Sequence, residues 1–424
     1  MLRKMIPHTL LRFMEQGFRI GRGFFWQAWY LFPAKKLKVI AVTGTNGKTT
    51  TSCYINEVLK YAGLKTAIYT TAIIEIDGRV EPNKTHYTLV KQRLVQQFFS
   101  RARKTGVDWV VLEVTSHAID QHRILGTTVD IAVMTNLTQD HLDYHGTMEE
   151  YARVKSLLFG GRFHPRISVL NIDDERYEFF AKKAEGRVIT YGKNKEADVR
   201  LLSPNGVGLS NSATIDYKDE NYALKTNLRG EFNLYNSAAA VCAGLAVGID
   251  MSVATKGVEK LVAVPGRMEK IEEGQPFEVS VDFAYTPDAL EKALRALKDT
   301  TKGSVRIVFG ATGDRDKSKR PLMGQVVAKW ADRIYLTDDE TYTEDPKQIR
   351  EDVFEGIINA KAEDKTKVIA SRTEAIERAF KEASPGDAIL LAGLGHETTR
   401  NIGGKQVDWD ERQVARELLS KMKK

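Results

Sequence analysis

The sequence predicts an α/β protein: a first domain with a parallel sheet and an antiparallel edge, then a second, Rossmann-like α/β domain. Three observations carry this expectation. From residue 37 onward, short β-branched runs alternate with helical patterns, the arrangement that gives parallel sheets covered on both faces. A glycine-rich turn joins the first strand to the first helix. A Pro265-Gly266 pair then separates two such series, because proline and glycine end the helical pattern before them.

Taken in order, residues 1–36 form a basic, aromatic arm, 37–265 the first domain and 266–424 the second. Strands are expected at Lys38–Val42, Trp109–Val114, Asp130–Thr135 and Ile167–Leu170, with helices at Lys48–Tyr61, Tyr87–Lys104 and Met148–Phe159. Between about 197 and 230 the texture turns polar, with the hairpin-like piece Ser203-Pro204-Asn205-Gly206, and reads as the antiparallel edge before an Ala-rich helix at Asn236–Val247. Val264-Pro265-Gly266-Arg267 reads as a hinge. Beyond it, strands are expected at Glu278–Phe283, Val305–Phe309, Arg333–Leu336, Lys367–Ile369 and Ala388–Leu391, and a last helix at Glu411–Lys423.

With 42% hydrophobic and 28% charged residues, the 424-residue chain has the apolar material for two or more cores, which excludes wholesale disorder. Two cysteines exclude a disulfide framework and suit a reducing compartment. Of the formal charge of +7, the first 36 residues supply +6, seven basic residues against Glu15. The remainder is nearly neutral and offers no basic stripe to track a phosphate backbone, so no nucleic-acid partner is expected. The arm also holds Phe13, Phe18, Phe24, Phe25, Trp26, Trp29, Tyr30 and Phe32, yet its densest apolar run is far shorter than the ~20 residues that span a bilayer. Two readings remain for it: a segment packed on the body with apolar residues inward and arginines solvated, or one lying on an anionic membrane surface.

The strand Val39–Val42 runs into Gly44-Thr45-Asn46-Gly47-Lys48-Thr49-Thr50 and then a helix. Glycines let backbone N–H groups approach phosphates at a helix N-terminus, a lysine reaches the terminal phosphates, and a threonine hydroxyl suits Mg²⁺. The loop departs from the strict pattern only in Val42, where a glycine is usual. Glu113 ends a second apolar strand, where a carboxylate faces the phosphates and suits magnesium; its alternative is a buried structural glutamate. The His- and Asp-rich run 135–146 invites a zinc reading, but Cys53 and Cys242 lie elsewhere and zinc is not expected.

These stretches, with Glu113-Val114-Thr115-Ser116-His117, Asp140-His141-Leu142-Asp143-Tyr144-His145-Gly146-Thr147 and Tyr151-Ala152-Arg153-Val154-Lys155, resemble the Mur ligase family, whose members build the peptide stem of the bacterial cell wall. Asp282-Phe283-Ala284-Tyr285-Thr286-Pro287-Asp288, Gly313-Asp314-Arg315-Asp316-Lys317-Ser318-Lys319-Arg320-Pro321 and Gly393-Leu394-Gly395-His396-Glu397 resemble its MurE branch, which adds the third residue to UDP-N-acetylmuramoyl-alanyl-glutamate. The resemblance implies an ADP-forming ligase that uses ATP and two Mg²⁺ ions, with Gly44 to Thr50, Asn236 and Arg267 on the nucleotide. It implies Thr49, Glu113, His141 and Lys155 as metal-site residues, Lys155 as a carbamate, and Lys48 and Asp282 beside them in catalysis. Ser116, Gln121, Arg123 and Thr85 would meet a muramoyl-peptide-like acceptor, and Arg315, Asp339, Glu340, Tyr342, Gly393 and Glu397 the incoming small-molecule amino acid. A cytoplasmic monomer is implied, with the arm available for peripheral contact with the membrane's inner face.

Three departures mark this chain. Only 36 residues precede the first strand, where family members carry a domain for the UDP group. The branch's N-T-T-P acceptor motif is Asn83-Lys84-Thr85-His86 here. Its D-N-P-R motif, which reads diaminopimelate, is Asp339-Glu340-Thr341-Tyr342, so a tyrosine stands where an arginine would grip the distal carboxylate. A cationic or neutral amino acid such as lysine or ornithine is expected. The alternatives are a ligase extending a lipid-linked, cyanophycin-like or poly-glutamyl acceptor, and a non-catalytic nucleotide-binding partner protein; retention of Lys48, Glu113, His141, Lys155 and Asp282 together argues against the second.

Overall fold

The computed structural model describes residues 8–83, 88–89, 91–205 and 211–422. Thr85, with Lys84 and His86 of the acceptor motif, and Gly206 of the hairpin-like piece, lie outside the described residues.

The first sheet has 11 strands: β1 (Lys38–Thr43), β2 (Thr66–Tyr69), β3 (Ile73–Ile76), β4 (Arg79–Pro82), β5 (Trp109–Glu113), β6 (Ile131–Met134), β7 (Ile167–Asn171), β8 (Arg187–Gly192), β9 (Val199–Asn205), β10 (Asn211–Tyr217) and β11 (Glu220–Thr226). Their order is β11-β10-β9-β8-β7-β6-β1-β5-β2-β3-β4. The centre, from β9 to β2, is parallel. Both ends are antiparallel, β9–β11 as expected and β2–β4 in addition. Strand side chains alternate between faces, and β1 divides accordingly. Ile40 and Val42 join a core with the helices Lys48–Tyr61 and Glu231–Val247, whereas Val39 and Ala41 join another with the helices Gln92–Thr105 and Met148–Ser156.

The second sheet has six strands, β12 (Glu269–Ile271), β13 (Glu278–Asp282), β14 (Val305–Phe309), β15 (Arg333–Leu336), β16 (Thr366–Val368) and β17 (Ala388–Ala392), ordered β12-β13-β17-β14-β15-β16. Only β12 is antiparallel to its neighbour. It has a core on each face, one under the helices Pro287–Lys298 and Lys319–Trp330, the other under Arg372–Lys381 and Glu411–Met422. A hairpin, β18 (Thr399–Ile402) and β19 (Lys405–Asp408), follows.

The arm forms the helix His8–Trp29 and a 3-10 turn, Pro33–Lys36. The helix is packed on the body, as one reading expects, and Trp26 and Tyr30 are half-buried, but most of its described aromatics point outward rather than inward. Gly23 and Gln27 are buried while Phe18, Phe24, Phe25 and Trp29 stand in solvent.

Candidate functional site

In parallel α/β sheets ligands bind beyond the carboxyl ends of the strands, where strand order reverses. In the first sheet β5 and β6 flank β1, so the reversal falls at Thr43 and the loop after it. That loop is clasped by residues 135–138. Thr45 N–H donates to the Asn136 carbonyl at 2.9 Å and Asn46 N–H to Asn136 Oδ1 at 3.0 Å. The Thr135 hydroxyl donates to the Asn46 carbonyl at 2.7 Å. Two glycines make this curl feasible. Gly44, at φ 148°, has no room for a Cβ, which would lie 1.9 Å from Thr135 Oγ1. Gly47, at φ 81°, caps the helix Lys48–Tyr61, and a Cβ there would lie 2.3 Å from Asn236 Oδ1.

Lys48 Nζ donates back to the carbonyls of Gly44 (3.1 Å) and Thr45 (2.6 Å). Lys155 Nζ donates to the same Gly44 carbonyl at 2.7 Å and lies over the Tyr151 ring. Burial holds both amines below the usual lysine range, and Lys155 well below it, with Lys48 as its second cause. Thr49 Oγ1 donates to Glu113 Oε2 at 2.9 Å, which also accepts the Thr71 N–H at 2.9 Å. Glu113 is thus a hydrogen-bonded carboxylate beside the phosphate loop. His141, at φ 55°, is pushed down to about 4 chiefly by burial, so its ring is neutral near pH 7. Asp140 lies beside it; burial opposes its charge, but the Lys319 ammonium at 3.3 Å together with His141 and its N–H holds the carboxyl down at about 2.

The second sheet brings its own carboxyl edge to the same place. A cavity of about 420 Å³ lies between the two edges. From the first come Thr45 to Thr50, Glu113, Arg123, His141 and Asn236; from the second, Arg267, Asp282, Arg315, Asp339, Glu340, Tyr342, Gly393 and Glu397. The parts touch directly. Arg267 Nη2 donates to Thr49 Oγ1 at 3.1 Å, Asn46 Nδ2 to Asp288 Oδ2 at 2.7 Å, and the Tyr285 hydroxyl to Asp140 Oδ2 at 3.3 Å. Asp282 accepts the Met268 N–H at 2.7 Å, and burial raises it to about 6.

Among the described residues, four expected ones do not line this cavity: Gly44, Lys155, Ser116 and Gln121. Ser116 is buried and its Oγ lies 2.9 Å from His145 Nε2, which gives that histidine a packing role. Gln121 Oε1 accepts from Arg123 Nη2 at 2.7 Å and so orients the guanidinium. Sequence reasoning gave no role to the cross-sheet contacts of Asp140, Lys319, Tyr285 and Asp288. Their signal was present, since all four sit inside the quoted motifs.

On the second-sheet side of the cavity, Arg315 stacks over the Tyr342 ring at 5.0 Å. Glu340 is raised to about 7 by burial and then by neighbouring Asp339 and Glu397. Behind it, the fully buried Arg372 donates to Glu411 (3.0 and 2.7 Å) and to the Ala392 carbonyl, and its Nη1 lies 3.6 Å from Asp339 Oδ2. Removing one partner of such a pair strands a buried charge. Arg372→Met is therefore expected to destabilise the second sheet by about 3–5 kcal/mol, read as a lower urea midpoint; an unchanged midpoint counts against the pair as a structural tie.

Among the described residues no cluster of three or more His, Cys, Asp or Glu is placed to hold a metal unaided. Magnesium does not require one, because it binds through one or two carboxylates, substrate phosphates and water. The Thr49 hydroxyl on the Glu113 carboxylate, next to Lys48 and a neutral His141, fits that kind of site.

A phosphate loop on one sheet edge, facing a pocket of carboxylates and arginines on another, defines an ADP-forming acid–amino-acid ligase that uses ATP. Family models for the Mur ligase middle domain (residues 42–244) and the Mur ligase, glutamate ligase domain (residues 266–395) both match, and the chain belongs to the Mur ligase family. It is 41% identical over 411 residues to the UDP-N-acetylmuramoyl-L-alanyl-D-glutamate--2,6-diaminopimelate ligase of Geobacillus kaustophilus, covering 92% of this chain and 80% of that one. It is 39% identical over 403 residues to the enzyme of the same name from Bacillus velezensis, covering 94% and 81%. A solved structure of such a ligase superposes with a TM-score of 0.64 at 32% identity, over 97% of this chain and 83% of that one. Mycobacterium tuberculosis folylpolyglutamate synthase shares the fold, with a TM-score of 0.71 at 17% identity over 88% and 92%.

Proposed function

We propose that this enzyme adds a diamino acid to a muramoyl-alanyl-glutamate-like acceptor in peptidoglycan synthesis, within the cytoplasm and as a monomer of domains 37–265 and 266–424. The observation that carries the reading is the single cavity in which Lys48, Thr49 and Glu113 face Arg315, Glu340 and Glu397. Chemistry assigns the order of events. An acceptor carboxylate, steered by Arg123, attacks the γ-phosphate of ATP and ADP leaves. The amine of the incoming amino acid then forms the C–N bond, loses its proton and expels phosphate. Lys48 meets charge developing on the transferred group, a preorganised contact in a dry site. When bound, two Mg²⁺ ions neutralise the phosphates, with Thr49, Glu113 and His141 as their protein ligands. The contacts Arg267–Thr49 and Asn46–Asp288 hold the second domain over the acyl phosphate and exclude water.

Lys155 fits a carbamate. Burial holds its amine well below the usual lysine range, and the unprotonated amine is the form that attacks CO₂, forming an N–C bond and releasing a proton. The product is a carboxylate beside the phosphate loop. With ¹³C-labelled bicarbonate, a carbamate signal is expected in the wild-type enzyme and none in Lys155→Ala; equal signals in both would remove the assignment.

With Tyr342 in place of an arginine and Glu340 adding an acid, the reading favours lysine or ornithine over diaminopimelate. Peripheral contact of residues 1–36 with the inner face of the membrane is a separate part of this proposal and does not depend on the ligase chemistry. The experiment that tests the function is phosphate release with ATP, Mg²⁺, the UDP-linked dipeptide and a panel of diamino acids. Release that needs both acceptor and amino acid supports it; release indifferent to the acceptor rejects it.

A further inference from the structure

The helix His8–Trp29 is about 33 Å long at 1.5 Å per residue. One face is seated on the body. A Cβ on Gly23 would lie 2.9 Å from Gln92 Nε2 and 3.0 Å from Leu125 Cδ2, and one on Gly126 would lie 1.8 Å from Gln27 Oε1. Gln92 ties the contact together: it accepts from Arg22 Nε at 3.0 Å and donates to the carbonyls of Arg19 and His122, each at 2.9 Å. Arg93 caps the Trp26 ring at 5.4 Å. The turn that receives the helix is 121–126, which also carries Arg123 into the cavity.

The opposite face is apolar and uncovered. At 100° per residue, Phe18, Phe25 and Trp29 form one stripe, and Phe24 stands exposed to the side, more than a quarter-turn from its middle. Phe18 is 68% exposed, Trp29 66% and, just beyond the helix, Leu31 73%. A helix that merely covers a core turns such residues inward; this one buries Gln27 and shows aromatics to solvent. Arg22 borders the stripe, Lys35 and Lys36 follow it, and the first 36 residues carry a net of +6. Among the described residues no helix is long and apolar enough to cross a membrane. Aromatics at interfacial depth with cations around them match an anionic lipid surface in both hydrophobicity and charge.

We propose that this face seats the enzyme on an anionic bilayer and that the carboxylate acceptor reaches Arg123 from that surface, carried on a lipid. The second half rests on the ligase reading above; the first does not. Only one turn of chain separates the surface-facing helix from the guanidinium that steers the acceptor.

The test uses the full chain and a Phe25→Ser/Trp29→Ser variant, both changes on the exposed face. Co-sedimentation is measured with phosphatidylglycerol–phosphatidylethanolamine vesicles and with phosphatidylcholine vesicles. The wild type is expected to pellet with the anionic vesicles, to be released by salt, and to lose binding about tenfold or more in the variant. Phosphate release is then measured with the dipeptide acceptor on a polyprenyl pyrophosphate in those vesicles and with the soluble UDP acceptor. The variant is expected to lose about tenfold on the lipid-borne acceptor and nothing on the soluble one. Identical pelleting with and without vesicles overturns the seating. A concentration-dependent dimer that the variant abolishes assigns the face to a second copy and overturns it as well. Equal losses on both acceptors overturn delivery from the lipid. Pelleting without phosphate release on any acceptor supports the seating and overturns the ligase reading with the delivery built on it.

Discussion

Lys48→Ala is expected to lower phosphate release at saturating ATP by about 10³-fold, the size of effect seen when one preorganised electrostatic contact to a transition state is removed. In the structure the Lys48 ammonium is spent on the carbonyls of Gly44 and Thr45, and burial already holds it below its usual range. An arriving phosphate supplies the counter-charge that these carbonyls cannot, so the lysine contributes most when negative charge is greatest. The variant leaves Gly44, Gly47 and the clasp by residues 135–138 in place. Its circular dichroism and melting are therefore expected to match the wild type. A kcat within tenfold of wild type would mean that charge neutralisation lies elsewhere.

Tyr342→Arg is expected to shift the ratio of kcat/KM for diaminopimelate over lysine by about 10²-fold towards diaminopimelate. That is the worth of a bidentate contact to a distal carboxylate, about 1.5–3 kcal/mol for a hydrogen bond to a charged group. Tyr342 already sits at φ 48° and lines the cavity, so the change alters chemistry at a position that holds a side chain in this backbone state. Glu340 gives the same pocket a pH signature. Burial, with Asp339 and Glu397, raises it to about 7; it is neutral below that pH and charged above. A cationic side chain binds the charged form, so KM for lysine is expected to fall as pH rises through 7, and the trend is expected to vanish in Glu340→Gln. A flat KM profile in the wild type, or no change of preference in Tyr342→Arg, would place selection on other residues.

The phosphate loop, Glu113 and the strands β1, β5, β6 and β7 of the parallel centre were legible because each is written in adjacent residues: an apolar run, a glycine turn, a helix. The strands β2 to β4 and the hairpin β18–β19 escaped because runs of four residues carry too little alternation to separate from a loop. Contacts between the sheets escaped for another reason. Asn46 and Asp288 are 242 positions apart, and nothing local in either marks the other. Lys155 was found only through the family's pattern, since burial and a shared carbonyl belong to tertiary structure. The arm's composition was legible, but its facing was left open between two readings. Alternating aromatics and cations fit an inward or an outward stripe equally, and Gly23, Gln27 and Gly126 decided between them by close approach.

The junction at Pro265 sets the kinematics of the whole molecule. Val264 belongs to the core of the first sheet, while Gly266, at φ 63°, is pressed so tightly on Gly395 and His396 that a Cβ would lie 2.1 Å from the His396 nitrogen. One residue therefore separates the part packed on the first sheet from the part packed on the second, and the proline ring fixes its φ. A strap this short permits swivelling but no sliding. Any rotation of the second sheet against the first therefore turns about this one short pivot, which keeps Arg315, Glu340 and Glu397 at a nearly constant distance from Pro265 while their orientation towards the phosphate loop changes.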